Sequence, residues 1–301
     1  MIKNFLKIGV VSLIFFIFAE IPAFSQKIIV IEKYSRTLYL YENGHILKAY
    51  PVSLGWNPEE PKREQGDGAT PEGLYFIREK RPSRRYGLFL ALSYPNLKDI
   101  NLARWEGRLN LSEYEQCVLN FKQGVSNGNC KLGYGLGIHG GGVWRKKNGR
   151  LVRDWTYGCV ALNDKDMREL YELIEVGTPV LIYDAEKPLF EVFKQLVFNP
   201  STGNLYPWWG EWQLPLKGLT LRVSLWEDHN GTKKLRIWGM DNNTKRLFFL
   251  FEDANADGRI SLWENEQNFA LPGWDFQKIR NMILDMLPKW VEEKKFSGQG
   301  G

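Results

Sequence analysis

Cysteine is scarce in this chain, with three in 301 residues. That count excludes a disulfide-dense scaffold, and being odd it leaves at least one thiol that cannot pair within the chain. Cys117 and Cys130 stand thirteen apart in one segment and could close a small loop, with Cys159 then left free. Long apolar runs are missing after the first 25 residues, so no second membrane span is expected. Charge of one sign is also in short supply. A net charge of +5 makes the surface mildly basic and falls short of a nucleic-acid footprint, so no nucleic acid partner is expected. There is no internal repeat. With 44% hydrophobic and 25% charged residues, the chain has ordinary globular composition and length for two modest domains.

The one apolar run sits at the N-terminus. Lys3 and Lys7 precede Ile8 to Ala19, Glu20 and Pro22 break the run, and Ala23-Phe24-Ser25 supplies small residues for cleavage. This reads as a signal peptide over 1–25, with an uncleaved anchor as the alternative, and implies export to the periplasm or cell envelope. No cysteine follows the run, which disfavours a lipid anchor. An unpaired thiol in an oxidising compartment is usually either used or buried, which draws attention to Cys159.

From residue 27 the pattern is mostly β. Lys27 to Glu32, Thr37 to Tyr41 and His45 to Ser53 read as a meander, followed by Leu74 to Ile77 and Leu88 to Leu92. Residues 96–127 carry helical spacing, as an insertion with Ser112 as N-cap of its second helix. Strands return at Gly135 to Ile138 and Cys159 to Leu162. A helix capped by Asn163 and a strand at Pro179 to Tyr183 then complete a domain over 27–184. A linker with a Trp-rich stretch is expected at 185–212. A small β-rich domain with a closing helix follows at 213–294, then a tail at 295–301. Many of the 12 Trp fall in this last part, including Trp208, Trp209 and Trp212. A module core accounts for them better than a glycan-binding face.

The chemistry-bearing segment is Ile138-His139-Gly140-Gly141-Gly142 with Thr156-Tyr157-Gly158-Cys159-Val160-Ala161-Leu162. A thiol attacks a carbonyl as thiolate, and a nearby imidazole can take its proton and return it to a leaving amine. His139 closes one expected strand and Cys159 opens another, so neighbouring strands would bring them together. Gly140 leaves its backbone open to orient the ring, and the amides of Gly158 and Cys159 could hold an oxyanion. A structural His and a core Cys are the plainer alternatives. Zinc is disfavoured because no third ligand of the right type stands nearby.

That segment is similar to the catalytic motif of the L,D-transpeptidase family, the YkuD-type domain, in which a His-Gly pair precedes a Ser/Thr-x-Gly-Cys signature. Gly66-Asp67-Gly68-Ala69-Thr70-Pro71-Glu72-Gly73 resembles the family's upstream turn. Leu92 to Asn96, Ala103-Arg104 and Gly107-Arg108 resemble a branch with a helical insertion before the catalytic His, as does Asp154 to Leu162. The resemblance implies a mainly β, sandwich-like catalytic domain. It also implies Cys159 as nucleophile and His139 as base, acting through an acyl-enzyme on peptidoglycan stem peptides. No catalytic cofactor is implied. Tyr157, Gly158 and Gly140 would serve as oxyanion or orienting residues, and Thr156, Gly141 and Trp155 would line the cleft. Tyr157 departs from the family's usual residue. L,D-Carboxypeptidase or amidase activity on the same bonds is the first alternative, and a silent wall-binding protein the second.

Asp253-Ala254-Asn255-Ala256-Asp257-Gly258-Arg259-Ile260-Ser261-Leu262-Trp263-Glu264 matches the calcium-loop pattern. Ca2+ is expected on Asp253, Asn255, Asp257, the Arg259 carbonyl, Ser261 and Glu264. The preceding Leu247 to Phe251 reads as strand, so the flanks differ from an EF-hand. The oligomeric state is not readable from the sequence.

Overall fold

The computed structural model describes residues 27–124, 129–197, 208–216, 219–227, 232–244, 247–253, 261–262 and 276–293. The expected signal segment, the tail, and most of the calcium loop (254–260 with Glu264) lie outside them. Among the described residues no helix is long and apolar enough to cross a membrane.

The chain opens with β1 (Lys27–Glu32), β2 (Thr37–Glu42) and β3 (His45–Pro51), then the hairpin β4 (Gly73–Ser83) and β5 (Gly87–Leu92). Helices α1 (Leu97–Trp105) and α2 (Leu111–Lys122) form the insertion. β6 (Gly137–His139), the short hairpin β7 (Arg145–Lys147) and β8 (Arg150–Val152), and β9 (Val160–Ala161) follow. Then come α3 (Asp164–Leu173) and β10 (Pro179–Tyr183). Eight strands make one sheet in the order β3-β2-β1-β10-β4-β5-β6-β9. The β1·β10 and β6·β9 pairs are parallel and the others antiparallel.

The sheet curls until its two edges meet. Past β3, Ser53 bridges Ala161 of β9, with N–H···O distances of 2.9 and 2.8 Å. The curl wraps one core of Ile29, Ile31, Leu40, Leu90, Ile138, Val160, Val180 and others. This is the mainly β, sandwich-like catalytic domain that the sequence implied. β1 is apolar on both faces because both are covered. Ile29 and Ile31 enter this core, whereas Ile28 and Val30 enter a second one.

The insertion starts differently from the expectation. Asn110, not Ser112, caps α2, because Asn110 and Glu113 exchange side-chain and backbone hydrogen bonds in a capping box that leaves Ser112 inside the first turn. Asn96 and Asp99 do the same for α1. Cys117 and Cys130 are disulfide-bonded, fastening α2 to the loop that leads into β6, and Cys159 is the free thiol. Closing a loop of that length contributes about 3 kcal/mol.

The second core joins the outer face of β1 and β10 to the C-terminal part. α4 (Leu189–Val197) occupies the start of the expected linker. β11 (Trp208–Leu216), β12 (Leu219–Glu227), β13 (Lys233–Asp241), β14 (Leu247–Asp253) and β15 (Ser261–Leu262) form a five-stranded antiparallel sheet in sequence order. α5 (Phe276–Glu293) closes the chain. The Trp-rich stretch from Trp208 is therefore strand rather than linker. Leu189, Phe190, Val192, Phe193, Leu196, Leu235, Ile237, Ile283, Leu287 and Val291 pack with Ile28, Val30 and Leu181. Each fully buried Leu, Ile or Phe there contributes roughly 2 kcal/mol.

Candidate active site

His139 ends β6, and Cys159 immediately precedes β9, the parallel neighbour of β6, at the curl's seam. β6 and β9 run parallel with Ile138 opposite Val160 and His139 opposite Ala161. Continued back one residue, that register sets Cys159 level with Gly137 and diagonal to His139.

His139 is buried at 1% exposure inside an aromatic sleeve. Tyr86 stacks on it with ring centroids 3.9 Å apart and planes 14° apart. Phe89, its cross-strand partner in β5, lies 6.0 Å away in a parallel plane, and Trp155 sits at 5.8 Å. Nδ1 lies 2.6 Å from the Gly140 carbonyl oxygen. A carbonyl only accepts, so Nδ1 carries the proton and Nε2 is left as the acceptor. Burial pushes the imidazole down to about 4, aided by the positive charges of Arg145 and Arg85 against the pull of the Gly140 carbonyl. The ring is therefore neutral at neutral pH.

The turn after His139 is held from the next helix. Gly141 N–H donates to Asp164 Oδ1 at 2.7 Å, Val143 N–H to Asn163 Oδ1 at 3.3 Å, and Gly142 N–H to the Leu162 carbonyl at 2.9 Å. Asn163 thus sits at the N-cap of α3, yet its side chain makes no capping bond. A side chain on Gly140 would meet Asp164 Oδ1 at 2.5 Å and the Tyr86 carbonyl at 2.7 Å, so only glycine fits.

The segment before the thiol is braced from behind. Asp154, in left-handed conformation, accepts from Leu54 N–H at 2.9 Å and pairs with Arg36 at 3.0 Å. Ser53 Oγ accepts from Asp154 N–H at 3.0 Å. Thr156 is buried, donates its hydroxyl to the Cys159 carbonyl at 2.6 Å and accepts from Gly158 N–H at 3.1 Å. Two expectations are corrected here. Thr156 braces the loop from inside rather than lining the cleft, and the Gly158 amide is already engaged, so it is not a free oxyanion donor. Gly158 has φ +119°, and a side chain there would stand 2.6 Å from the Ala69 carbonyl.

The thiol itself is partly buried, with Sγ 3.9 Å from the Gly135 carbonyl. Burial pushes it up to about 11, against smaller pulls from the Gly137 backbone and Lys62. Thiol and imidazole therefore both rest uncharged. Of the other expected site residues, Trp155 donates Nε1–H to the Gly142 carbonyl at 3.1 Å and Gly141 accepts from Arg145 at 3.4 Å, which places both beside His139. Tyr157 is 73% exposed at the rim.

The turn at Gly66 to Gly73 forms the opposite wall. Asp67 accepts from the backbone amides of Arg63, Glu64 and Ala69 and from Lys62, bonds that together hold its carboxyl below the ordinary range against the cost of burial. Thr70 Oγ1 accepts from Gly55 N–H at 2.9 Å. Beneath it Glu72 binds Lys33 and, at 2.7 Å, Lys187. Lys33 is fully enclosed, and burial lowers its pKa despite Glu72. Sequence reasoning did not single out Tyr86, Phe89, Arg85, Arg145, Ser53 or the Lys33–Glu72 pair. Only register and long-range contact connect them to the site.

Among the described residues no group of three or more His, Cys, Asp or Glu side chains could hold a metal. Of the calcium-loop positions, Asp253 ends β14 and Ser261 begins β15, and the two strands pair antiparallel with Glu252 opposite Ser261.

A curled β domain with one free thiol and one enclosed imidazole on adjoining strands defines the class. The sequence profile of the L,D-transpeptidase catalytic domain (YkuD) matches residues 26–182, just over half of the chain, and the chain belongs to that family. Among solved structures it is similar to the L,D-transpeptidase from Mycobacterium smegmatis, at 14% identity over 53% of this chain and 59% of that one, TM-score 0.31. It is likewise similar to the one from Xylanimonas cellulosilytica, at 18% identity over 53% and 61%, TM-score 0.31. A third is from Enterococcus faecium, at 14% identity over 52% and 50%, TM-score 0.32. The chain thus spans half to three fifths of those proteins' length. No curated protein matches it.

Proposed function

We propose that this protein is an exported L,D-transpeptidase that acts on peptidoglycan stem peptides through a Cys159 acyl-enzyme, with His139 as base. The observation that supports the reading is the position of the free thiol one residue before β9, diagonal in the β6·β9 register to an imidazole whose Nδ1 is held on Gly140 and whose Nε2 is thereby the acceptor. The bond attacked in this reading is the L,D peptide bond between the diamino acid at stem position three and the terminal D-residue, and membership of the L,D-transpeptidase family supports it.

Nε2 takes the thiol proton as Sγ attacks the carbonyl carbon. The resting pair is uncharged, so proton transfer accompanies the attack instead of preceding it. The C–N bond breaks, the imidazolium returns the proton to the departing amine, and a thioester remains. An incoming amine then attacks the thioester, gives its proton to Nε2, and the thiol is restored. With Gly158 N–H engaged by Thr156, the reading assigns the oxyanion to the amides of Cys159 and Tyr157.

The test is incubation of the chain with defined muropeptides, with and without Cys159→Ala, read by mass spectrometry. A cross-linked mass that needs Cys159 supports transfer. Loss of the terminal D-residue alone marks an L,D-carboxypeptidase, and no Cys159-dependent change on any stem length removes the catalytic reading.

We also propose that the 253–264 loop binds Ca2+ as a structural staple. The antiparallel pairing of β14 with β15 draws its first and ninth positions together, which supports the reading. Titration of the chain with Ca2+ should raise its thermal midpoint, and Asp253→Ala should abolish that rise. An unchanged midpoint on titration would eliminate the site.

A further inference from the structure

The chain's positive charge is concentrated on two hairpins. Residues 78–85 hold five cations and one anion, and residues 145–154 hold the same, a net of +8 against +5 for the whole chain. Everything else is net acidic. Both hairpins converge on the aromatic sleeve around His139. Arg85 lies 5.2 Å and Arg145 5.8 Å from the Tyr86 ring, Arg145 lies 3.9 Å from Trp155, and Arg81 lies 4.6 Å from Phe89. Tyr86, Trp155 and Phe89 are the three rings that enclose the imidazole. An inner imidazole, an aromatic layer and an outer arginine layer therefore follow one another outward.

Not every cation of the two hairpins faces this mouth. Arg78 donates to the Gly124 carbonyl and Lys80 to the Tyr171 and Ile174 carbonyls, and Arg153 reaches Val52 and Arg36 carbonyls. Arg84, Lys146, Lys147 and Arg150 are exposed and have no partner among the described residues. On the same β7–β8 hairpin Trp144 and Leu151 are exposed, offering apolar contact beside the charges.

We propose that these hairpins form a carboxylate-selecting mouth, so that the site prefers acidic peptides over the same peptides with amidated carboxyls. The proposal rests on the stem-peptide reading above and adds its charge specificity. An acidic peptide fits better than an anionic bilayer, because a bilayer pressed onto this mouth would close the approach to Cys159. Burial is the main cause of the lowered basicity of His139, and an anion on Arg85 and Arg145 offsets only the smaller contribution of those two charges.

The test is titration calorimetry on the Cys159→Ala chain with two synthetic stem tetrapeptides, one with free and one with amidated side carboxylates. Several half-exposed charge contacts predict roughly five- to tenfold tighter binding of the free form at low salt, shrinking as salt rises. The double reversal Arg84→Glu/Lys147→Glu should erase the preference. Lys289→Glu on α5, compared with the single reversal Arg84→Glu of equal charge change, should keep it. Equal affinity for both peptides, no binding of either, or a preference that survives the double reversal would overturn the proposal. Retention on anionic vesicles without a peptide preference would overturn it in favour of membrane docking. A binding preference without Cys159-dependent turnover sinks only the catalytic reading, and turnover with equal binding sinks only this one.

Discussion

Tyr86 lies flat on His139, and the same tyrosine ring carries Arg85 and Arg145 on its outer side. One side chain thus lies against both the imidazole and the two arginines. Together with the Gly140 carbonyl, it leaves the imidazole no alternative rotamer that keeps both contacts.

Removing that ring should uncouple binding from chemistry. Tyr86→Ala should lower kcat by about 10–100-fold through misplacement of Nε2, with a much smaller change in KM. Tyr86→Phe keeps the stack and should stay within about threefold of the parent. Steady-state kinetics on a defined stem peptide separate the two, and a KM effect alone would contradict the positioning role.

The enclosed imidazole also sets a pH limit on stability. Its pKa falls from 6.5 to about 4 on folding, so between these values the unfolded chain binds a proton that the folded chain does not. Stability is therefore full above about pH 6.5 and falls as pH drops toward 4, by up to about 3 kcal/mol from this group. Urea titrations across that window should show the decline, and His139→Gln should flatten it.

Gly158→Ala is expected to damage the site more than its size implies. The position is left-handed at φ +119°, and the added carbon meets the Ala69 carbonyl. A strain of about 1–3 kcal/mol should appear in the urea midpoint. Because the same loop sets Cys159, the rate of Cys159 alkylation by iodoacetamide should change as well.

Glu72 is expected to be critical although it is far from the thiol in sequence. It neutralises the enclosed Lys33 and also binds Lys187 beneath the Thr70 turn. Glu72→Gln should cost about 3–5 kcal/mol by leaving a buried ammonium without its counter-charge, and Lys33→Met combined with Glu72→Leu should recover much of that loss. Chemical denaturation of the single and double variants reads the difference.

Most strands of the first domain and the candidate pair His139 and Cys159 were legible in the sequence because those signals are local. Apolar runs such as Ile28 to Ile31 and the glycine-flanked His139 and Cys159 need no distant partner to be noticed. The α2 cap was misjudged by two residues because Ser112 and Asn110 are both good caps, and only the Glu113 reciprocal bond decides between them. β7 and β8 are three residues each and lie in a run of cations, a pattern too short and too polar to mark a strand. β11 was hidden because its tryptophans follow a Gly/Pro-rich stretch and pair only with β12. Tyr86, Arg85 and Arg145 gain meaning from the register of β5 with β6, which no local window contains.

The outer face of β1 and β10 has a practical consequence. The family match stops at residue 182, but Ile28, Val30 and Leu181 are covered by α4, β13 and α5, beyond that point. A fragment cut at the family boundary would carry a water-exposed aliphatic stripe on the central strands of its sheet. Such a fragment would self-associate rather than behave as an independent enzyme. What sequence comparison delimits as a module is, in this chain, only one side of a shared interior.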